Sequence, residues 1–348
     1  MPRVETHHTY EVAIVGAGPI GLELAAGLKR AGIDYVQFDK GTVGQTMYWW
    51  PPRTQWFSSN ERIALAGIPL LTVGQQKATR EEYLAYLRTV ARSFELAIHT
   101  HESVLDIERT GDVFSVQTRS LRGEREYQAR RIVLATGDTN TPKQLGIPGE
   151  DLPHVRHVLP DPHLYFQRDL LIIGGKNSAV EAALRCWHAG VNVSLSYRQA
   201  AFDDRHVKYW LLPEFEGRVS RGEIRCFKST EPVAIHEGRV KLRRVGDGAT
   251  FDVETDFVLL ATGYVADMSL FRRLGVDLEG ERELPTYDEA TMETNVSGVY
   301  VAGTATAGTQ NSYKVFLENC HIHVPRIVAH LQGAPPPTAQ PPNQLPET

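Results

Sequence analysis

The chain is poor in cysteine, with three among 348 residues. That number cannot build a paired disulfide framework, which excludes a small disulfide-stapled fold and makes the cytoplasm the expected compartment. No basic excess is present. The formal net charge is -5, whereas nucleic-acid binding needs a positive face, so nucleic acid is excluded as the expected partner. No stretch approaches the roughly 18 consecutive apolar residues of a membrane span. The opening MPRVETHHTY lacks an apolar segment and does not read as a signal peptide. What is present is ordinary globular material. An apolar content of 42% supports a buried core and excludes a disordered or fibrous chain. At this length about two domains are expected.

An internal repeat organises the sequence. Residues 12–40 (VAIVGAGPIGLELAAGLKRAGIDYVQFDK) align without a gap on residues 170–198 (LLIIGGKNSAVEAALRCWHAGVNVSLSYR). Gly16 falls on Gly174, Gly21 on Ala179, Glu23 on Glu181, and Ala31-Gly32 on Ala189-Gly190. Each copy runs from an apolar strand through a glycine turn into a helix, stops at Ala-Gly, and resumes as a second apolar strand. This is the βαβ opening of a dinucleotide-binding domain. Each copy also has a later strand ending in Ala-Thr-Gly, RIVLATG at 131–137 and FVLLATG at 257–263. The expected fold class is therefore α/β with two Rossmann-like domains, each in three layers. Between these marks, residues 79–94 read as a helix with a Thr79/Glu82 capping box and a core face of Tyr83, Leu87, Val90 and Phe94. Residues 101–119 and 224–244 alternate as strands around turns at Gly111-Asp112 and Glu237-Gly238. The Pro-rich segment 333–348 has no apolar period and is expected to be disordered.

The first turn, with Gly16, Gly18, Pro19, Ile20 and Gly21, spells G-x-G-x-x-G. The first glycine permits the turn, the second admits a pyrophosphate, and the third lets helix and strand pack closely. Asp39, followed by Lys40, ends the second strand, where a carboxylate accepts from a ribose diol. FAD is the expected dinucleotide, because residues 294–304 (TNVSGVYVAGT) resemble the strand and Ala-Gly that flavoproteins place near the ribityl chain. There the usual acid is replaced by Thr304, after Gly303; a hydroxyl is a weaker acceptor. In the second turn (Gly174, Gly175, Lys176, Asn177, Ser178, Ala179), Lys176 takes the middle glycine's place. The second strand ends in Tyr197-Arg198 instead of an acid. A guanidinium suits a 2′-phosphate and can stack on adenine, so NADPH is expected over NADH. Arg205 and Lys208 could add positive potential, although surface charge is the plainer reading.

Together these features resemble the two-dinucleotide-binding flavoproteins at the size of low-molecular-weight thioredoxin reductases. Finer marks resemble one branch, the bacillithiol disulfide reductase family. They are GQTMYWWPPRTQWFSS at 44–59, GGKNSAVEAAL, YRQAAFDDRHVKYWLLPEF, and METNVSGVYVAGTATAGTQNSYKVFLENCHIH. The resemblance implies a thioredoxin-reductase-like FAD/NAD(P)-binding fold. It implies an FAD domain of residues 1–150 and 275–332 interrupted by an NADPH domain of 151–274. It also implies an NADPH-dependent flavoenzyme, a homodimer or homotetramer, reducing a small-molecule disulfide. Further FAD contacts implied are Gln45 and Thr46 toward the flavin, and Val104, Thr136 and Gly137; Thr262 and Gly263 hold the matching place for NADPH. The aromatic group Tyr48, Trp49, Trp50, Trp56 and Phe57 falls near the flavin on this resemblance, or serves packing alone.

One departure bears on mechanism. The family typically carries a cysteine in the first glycine turn, where this chain has Ile20, and the CxxC of thioredoxin reductases is absent. Cys186 and Cys226 read as small buried hydrophobes. Cys320 is the one candidate redox thiol, and no catalytic residue is otherwise assigned. His321 and His323 beside it do not converge as ligands, so no metal is expected. The competing readings are a reductase of ferredoxin, flavodoxin or quinone, a small electron-carrier protein then being the partner, a flavin monooxygenase, and a flavin-binding redox sensor. The monooxygenase linker F-x-G-x-x-x-H is missing from 153–165.

Overall fold

A computed structural model describes residues 8–203, 207–310 and 314–337. Two compact units make up the described chain. The first takes the residues up to Trp49, then Arg53–Thr141, and those from Tyr264 onward; the second takes Trp50–Pro52 and Pro142–Gly263.

The first unit is built on a seven-stranded sheet. Strand Thr9–Val15, whose last four residues, Val12 to Val15, are apolar and buried, pairs in parallel with Tyr35–Asp39 on one side and Gly123–Leu134 on the other. Gly123–Leu134 is long enough for two further partners. It lies antiparallel to Val113–Ser120, and its last three residues pair in parallel with Val299–Val301. Val15, Leu134 and Val301 finish in register. The three loops that follow therefore leave one edge of the sheet together. Helix Pro19–Arg30 packs over it through Leu22, Leu24, Ala25 and Leu28, and Lys29 and Arg30 complement the C-terminal end of its dipole. Helix Arg80–Ser93 starts at the expected capping box, with both Thr79/Glu82 bonds formed, and buries Tyr83, Leu87 and Val90.

In the second unit the repeat is reproduced residue for residue. Strand Asp169–Ile173, helix Asn177–His188 and strand Asn192–Tyr197 end where the alignment places them. Gly174 N–H donates to Ser196 O at 3.0 Å, as Gly16 N–H donates to Phe38 O at 2.7 Å. Five parallel strands form its main sheet, ordered 225–228, 192–197, 169–173, 257–260, 155–156. The strand-like run 224–244 is divided. Arg225–Lys228 joins that sheet, and Thr230–His236 with Arg239–Arg244 begins a separate antiparallel one.

The units meet the chain at Thr141/Pro142 and Gly263/Tyr264, earlier than the expected cuts after 150 and 274. Packing sets both positions. Leu145, Ile147 and Leu152 lie against the second unit's core, and Phe271 is buried in the first unit's core beside Ile107. Such pairings are tertiary, and the local sequence does not display them.

Candidate functional site: two glycine turns at strand ends

In the first turn Gly16 has φ +116°, a left-handed conformation that favours glycine. A Cβ there would overlap the carbonyl oxygen of Ala135, the first residue of Ala-Thr-Gly. Gly16 O accepts from Gln37 Nε2 at 2.9 Å, which braces the turn. A Cβ on Gly21 would overlap that same Gly16 carbonyl. Gly18 differs. It has ordinary extended backbone, caps helix Pro19–Arg30, and would meet nothing within 4 Å of an added Cβ. Open space thus stands before a helix N-terminus of unpaired N–H groups, the arrangement that takes a pyrophosphate. Thr136 Oγ1, in the adjoining loop, is buried and meets no partner among the described residues. These observations fit a bound dinucleotide.

Asp39 is half-buried at the end of its strand. Its carboxylate accepts from Ala17 N–H at 2.7 Å and Gly41 N–H at 2.8 Å. Burial pushes its pKa above the usual carboxylate value, against the backbone donors, Lys40 and His101, which pull it down. Two bonds leave acceptor capacity on a carboxylate. Lys40 is exposed beside it. Val104 lies on the strand that begins just after Asp39 pairs with Thr100. Gln45 spends its side-chain carbonyl on Thr42 N–H at 2.9 Å, so it shapes the turn; Thr46 follows on the same short helix, Gln45–Tyr48. Gly137 and Gly303 stand in the neighbouring loops, and a Cβ on Gly303 would lie 3.4 Å from that of Ile20. Ile20 therefore packs against the Ala-Gly turn as part of the core.

The second turn keeps the geometry with different chemistry. Gly174 has φ +147° and abuts the Ala261 carbonyl as Gly16 abuts Ala135. A Cβ on Gly175 would overlap the ring of Tyr197, which stacks on Phe202 at 5.0 Å. Lys176 caps the helix and is exposed. Asn177 Oδ1 accepts from Lys208 N–H at 2.7 Å, Ser178 is exposed, and Ala179 is buried where helix and strand meet. Arg198 is exposed, and no acceptor pairs with it among the described residues. Lys208 Nζ lies 3.5 Å from Glu181, which uses its charge locally, and Arg205 lies outside the described residues. Thr262 donates to Lys143 O at 2.9 Å, and Gly263 follows at φ +96°.

None of the three thiols is exposed: Cys186 and Cys320 are buried and Cys226 is partly so. Cys320 is fully buried in the first unit's core, its Sγ–H donates to Phe316 O at 3.1 Å, and burial drives its pKa far up. A reactive cysteine must reach the thiolate and be accessible, and Cys320, the candidate redox thiol, is buried and held protonated in this structure. Burial also pushes Cys186 up to about 12 and Cys226 up to about 11. Among the aromatics, Trp56 packs on Tyr83 at 4.5 Å, while Tyr48 and Phe57 are exposed. Among the described residues no group of three His, Cys, Asp or Glu is placed to hold a metal ion, and no helix is long and apolar enough to cross a membrane.

Sequence reading missed three polar residues at the first turn's edge. Asp138 follows Ala-Thr-Gly directly, is buried, and accepts from Gln310 Nε2 at 2.8 Å. His323 Nδ1 accepts from Gly303 N–H at 3.1 Å, and burial lowers its pKa to about 4, so the ring is neutral. The acid after the Ala-Thr-Gly motif was the one signal available. Nearby, His321 bonds Glu23 Oε2 at 2.6 Å and Arg62 O at 2.9 Å. Burial would lower its pKa, but Glu23 outweighs that and raises it.

Comparison with known proteins agrees with this geometry. The family model described as pyridine nucleotide-disulphide oxidoreductase matches residues 13–303. Bacilliredoxin reductase Bdr of Bacillus subtilis is 35% identical over 319 residues, covering 91% of this chain and 96% of that one. The structure of bacillithiol disulfide reductase Bdr from Bacillus cereus superposes with a TM-score of 0.87 at 33% identity, covering 94% and 99%. A ferredoxin–NADP reductase of Ignicoccus hospitalis is 25% identical over 307 residues, 85% of this chain and 90% of that one.

Proposed function

The chain belongs to the pyridine nucleotide-disulphide oxidoreductase family, in its bacillithiol disulfide reductase branch, and from that premise we propose an NADPH-dependent, FAD-containing reductase of a low-molecular-weight thiol disulfide. What carries the reading is kinship along both units, not through the glycine turns alone. The first turn would hold FAD, with Gly18 and the helix N-terminus at the pyrophosphate, Asp39 at the ribose, and the Thr136 hydroxyl and the Gly303-Thr304 loop facing the rest. The second would hold NADPH, with Arg198 answering the 2′-phosphate. Bound FAD supplies two-electron transfer between a nicotinamide and a disulfide.

This chain's own residues bind and orient. Asp39 fixes the turn through Ala17 and Gly41. Neutral His323 fixes Gly303. With Ile20 at the turn and Cys320 buried, no protein thiol takes part in the sulfur chemistry. That same lack of a thiol at the glycine turn favours a second reading, reduction of ferredoxin or another one-electron carrier, the activity named for several relatives near 25% identity. NADPH oxidation by the FAD-loaded protein, measured in parallel with bacillithiol disulfide, a bacilliredoxin mixed disulfide, ferredoxin and a quinone, separates them. The expected outcome is the highest kcat/KM with a disulfide. Turnover with ferredoxin or quinone and none with either disulfide would reject the proposal in favour of the second reading.

A further inference from the structure

Position 304 lacks the acid that flavoproteins of this type place after Ala-Gly, yet a carboxylate stands beside it. Val15, Leu134 and Val301 end in register, so the Ala135-Thr136-Gly137 loop and the Ala302-Gly303-Thr304 loop run side by side. A Cβ on Gly137 would lie 3.7 Å from Thr304 Oγ1. The next residue is Asp138, whose side chain is buried. One of its oxygens is held by Gln310 Nε2 at 2.8 Å. Gln310 is itself fixed: its carbonyl accepts from Lys314 and Val315 N–H at 2.9 and 3.0 Å, and its amide also donates to Val315 O. The carboxylate is therefore held in place rather than free to swing toward solvent.

We propose that Asp138 restores the missing acid function through Thr304: the Thr304 hydroxyl donates its proton toward Asp138, which leaves both oxygen lone pairs to accept from a polyol hydroxyl of the bound flavin dinucleotide. A hydroxyl carries one donor and two acceptor sites. Committing the donor converts threonine into the pure acceptor that a carboxylate would have been, and the negative charge behind it strengthens that acceptor. The charge balance at Asp138 agrees. Burial raises its pKa, while Gln310 and the Thr304 hydroxyl pull it down, as donors to the carboxylate do. After the second Ala-Thr-Gly the residue is Tyr264, so the acid is peculiar to the first turn. Asp138 is a positioning residue; Thr304 makes the contact. The inference rests on FAD occupying the first turn.

The test is FAD affinity of the full-length apoprotein, read from quenching of flavin fluorescence on titration. Asp138→Asn and Thr304→Val are each expected to weaken FAD roughly tenfold. The double variant Asp138→Asn/Thr304→Val should lose no more than either alone, because both remove one coupled unit. Asp138→Asn/Thr304→Asp, which returns the acid to the usual position, should recover affinity to within about threefold of the parent. A purely structural Asp138 would not be rescued from position 304. Unchanged affinity in Asp138→Asn, additive losses in the double variant, or failure of the Thr304→Asp rescue overturns the inference. If Asp138→Asn does not fold, the pair Thr304→Ser and Thr304→Val decides: equal affinities overturn it, and loss confined to valine supports it. A parent apoprotein that takes up no FAD would instead reject the cofactor assignment, a distinguishable result.

Discussion

Gly18 and Gly21 lie three residues apart in one turn, and the structure gives them opposite duties. A Cβ on Gly21 would overlap the Gly16 carbonyl oxygen and stand 3.0 Å from its carbon. That carbonyl cannot retreat easily, since Gln37 Nε2 holds it at 2.9 Å and Gly16 N–H is bonded to Phe38 O at 2.7 Å. Overpacking against backbone sits at the upper end of the usual range, about 3 kcal/mol. Gly21→Ala is therefore expected to lower the stability of the apoprotein by about that amount. Gly18 has φ −72° and ψ −178° and nothing within 4 Å of an added Cβ. Gly18→Ala should leave apoprotein stability within about 0.5 kcal/mol of the parent. Its methyl would nonetheless project into the space before the helix N-terminus, where the pyrophosphate must approach. FAD affinity should fall at least about tenfold, or about 1.4 kcal/mol. Denaturant unfolding of both apoproteins and FAD titration of Gly18→Ala read the two effects separately. A folded Gly18→Ala that binds FAD as tightly as the parent would refute the reasoning, because the open space would then not be the dinucleotide's path.

Arg198→Glu should erase or reverse the preference for NADPH over NADH in stopped-flow reduction, a change of about 10- to 150-fold for one charge-assisted contact; an unchanged ratio would make Arg198 a surface charge. His323, with a folded pKa near 4 against 6.5 unfolded, binds its proton later than the unfolded chain does. Its contribution to stability is complete above about pH 6.5 and is lost as pH falls toward 4, up to about 3 kcal/mol. Urea unfolding across that window should show this slope in the parent and not in His323→Gln, and equal slopes would disprove it. The variant Cys186→Ala/Cys226→Ala/Cys320→Ser should retain FAD and disulfide turnover; loss of disulfide turnover with NADPH-dependent flavin reduction intact would place a relay at a cysteine after all.

The parts legible in the sequence were those whose physics is local. A turn that abuts a carbonyl needs glycine, which is why Gly16 and Gly174 stand out, and a capping box needs only Thr79 and Glu82. The repeat then located both βαβ units, helix ends included. Relations across space were not legible. Asp138 and Thr304 follow separate strands and come near each other only because Leu134 and Val301 end in register. The Gln45 side-chain carbonyl accepts from Thr42 N–H, a bond the sequence does not display, and whether a helical cysteine is exposed depends on what packs over it, as Cys320 shows. The unit boundaries moved for the same reason, since Phe271 belongs to a core its neighbours in sequence do not reveal.

The central claim is that this chain passes electrons from NADPH through bound FAD to a thiol disulfide without a thiol of its own. Anaerobic titration of the FAD-loaded protein tests it in one vessel. NADPH should bleach the flavin absorbance, and bacillithiol disulfide added next should restore it with release of thiol, in the cysteine-free variant as in the parent. A flavin that NADPH bleaches but no disulfide reoxidises, while ferredoxin does, would contradict the account.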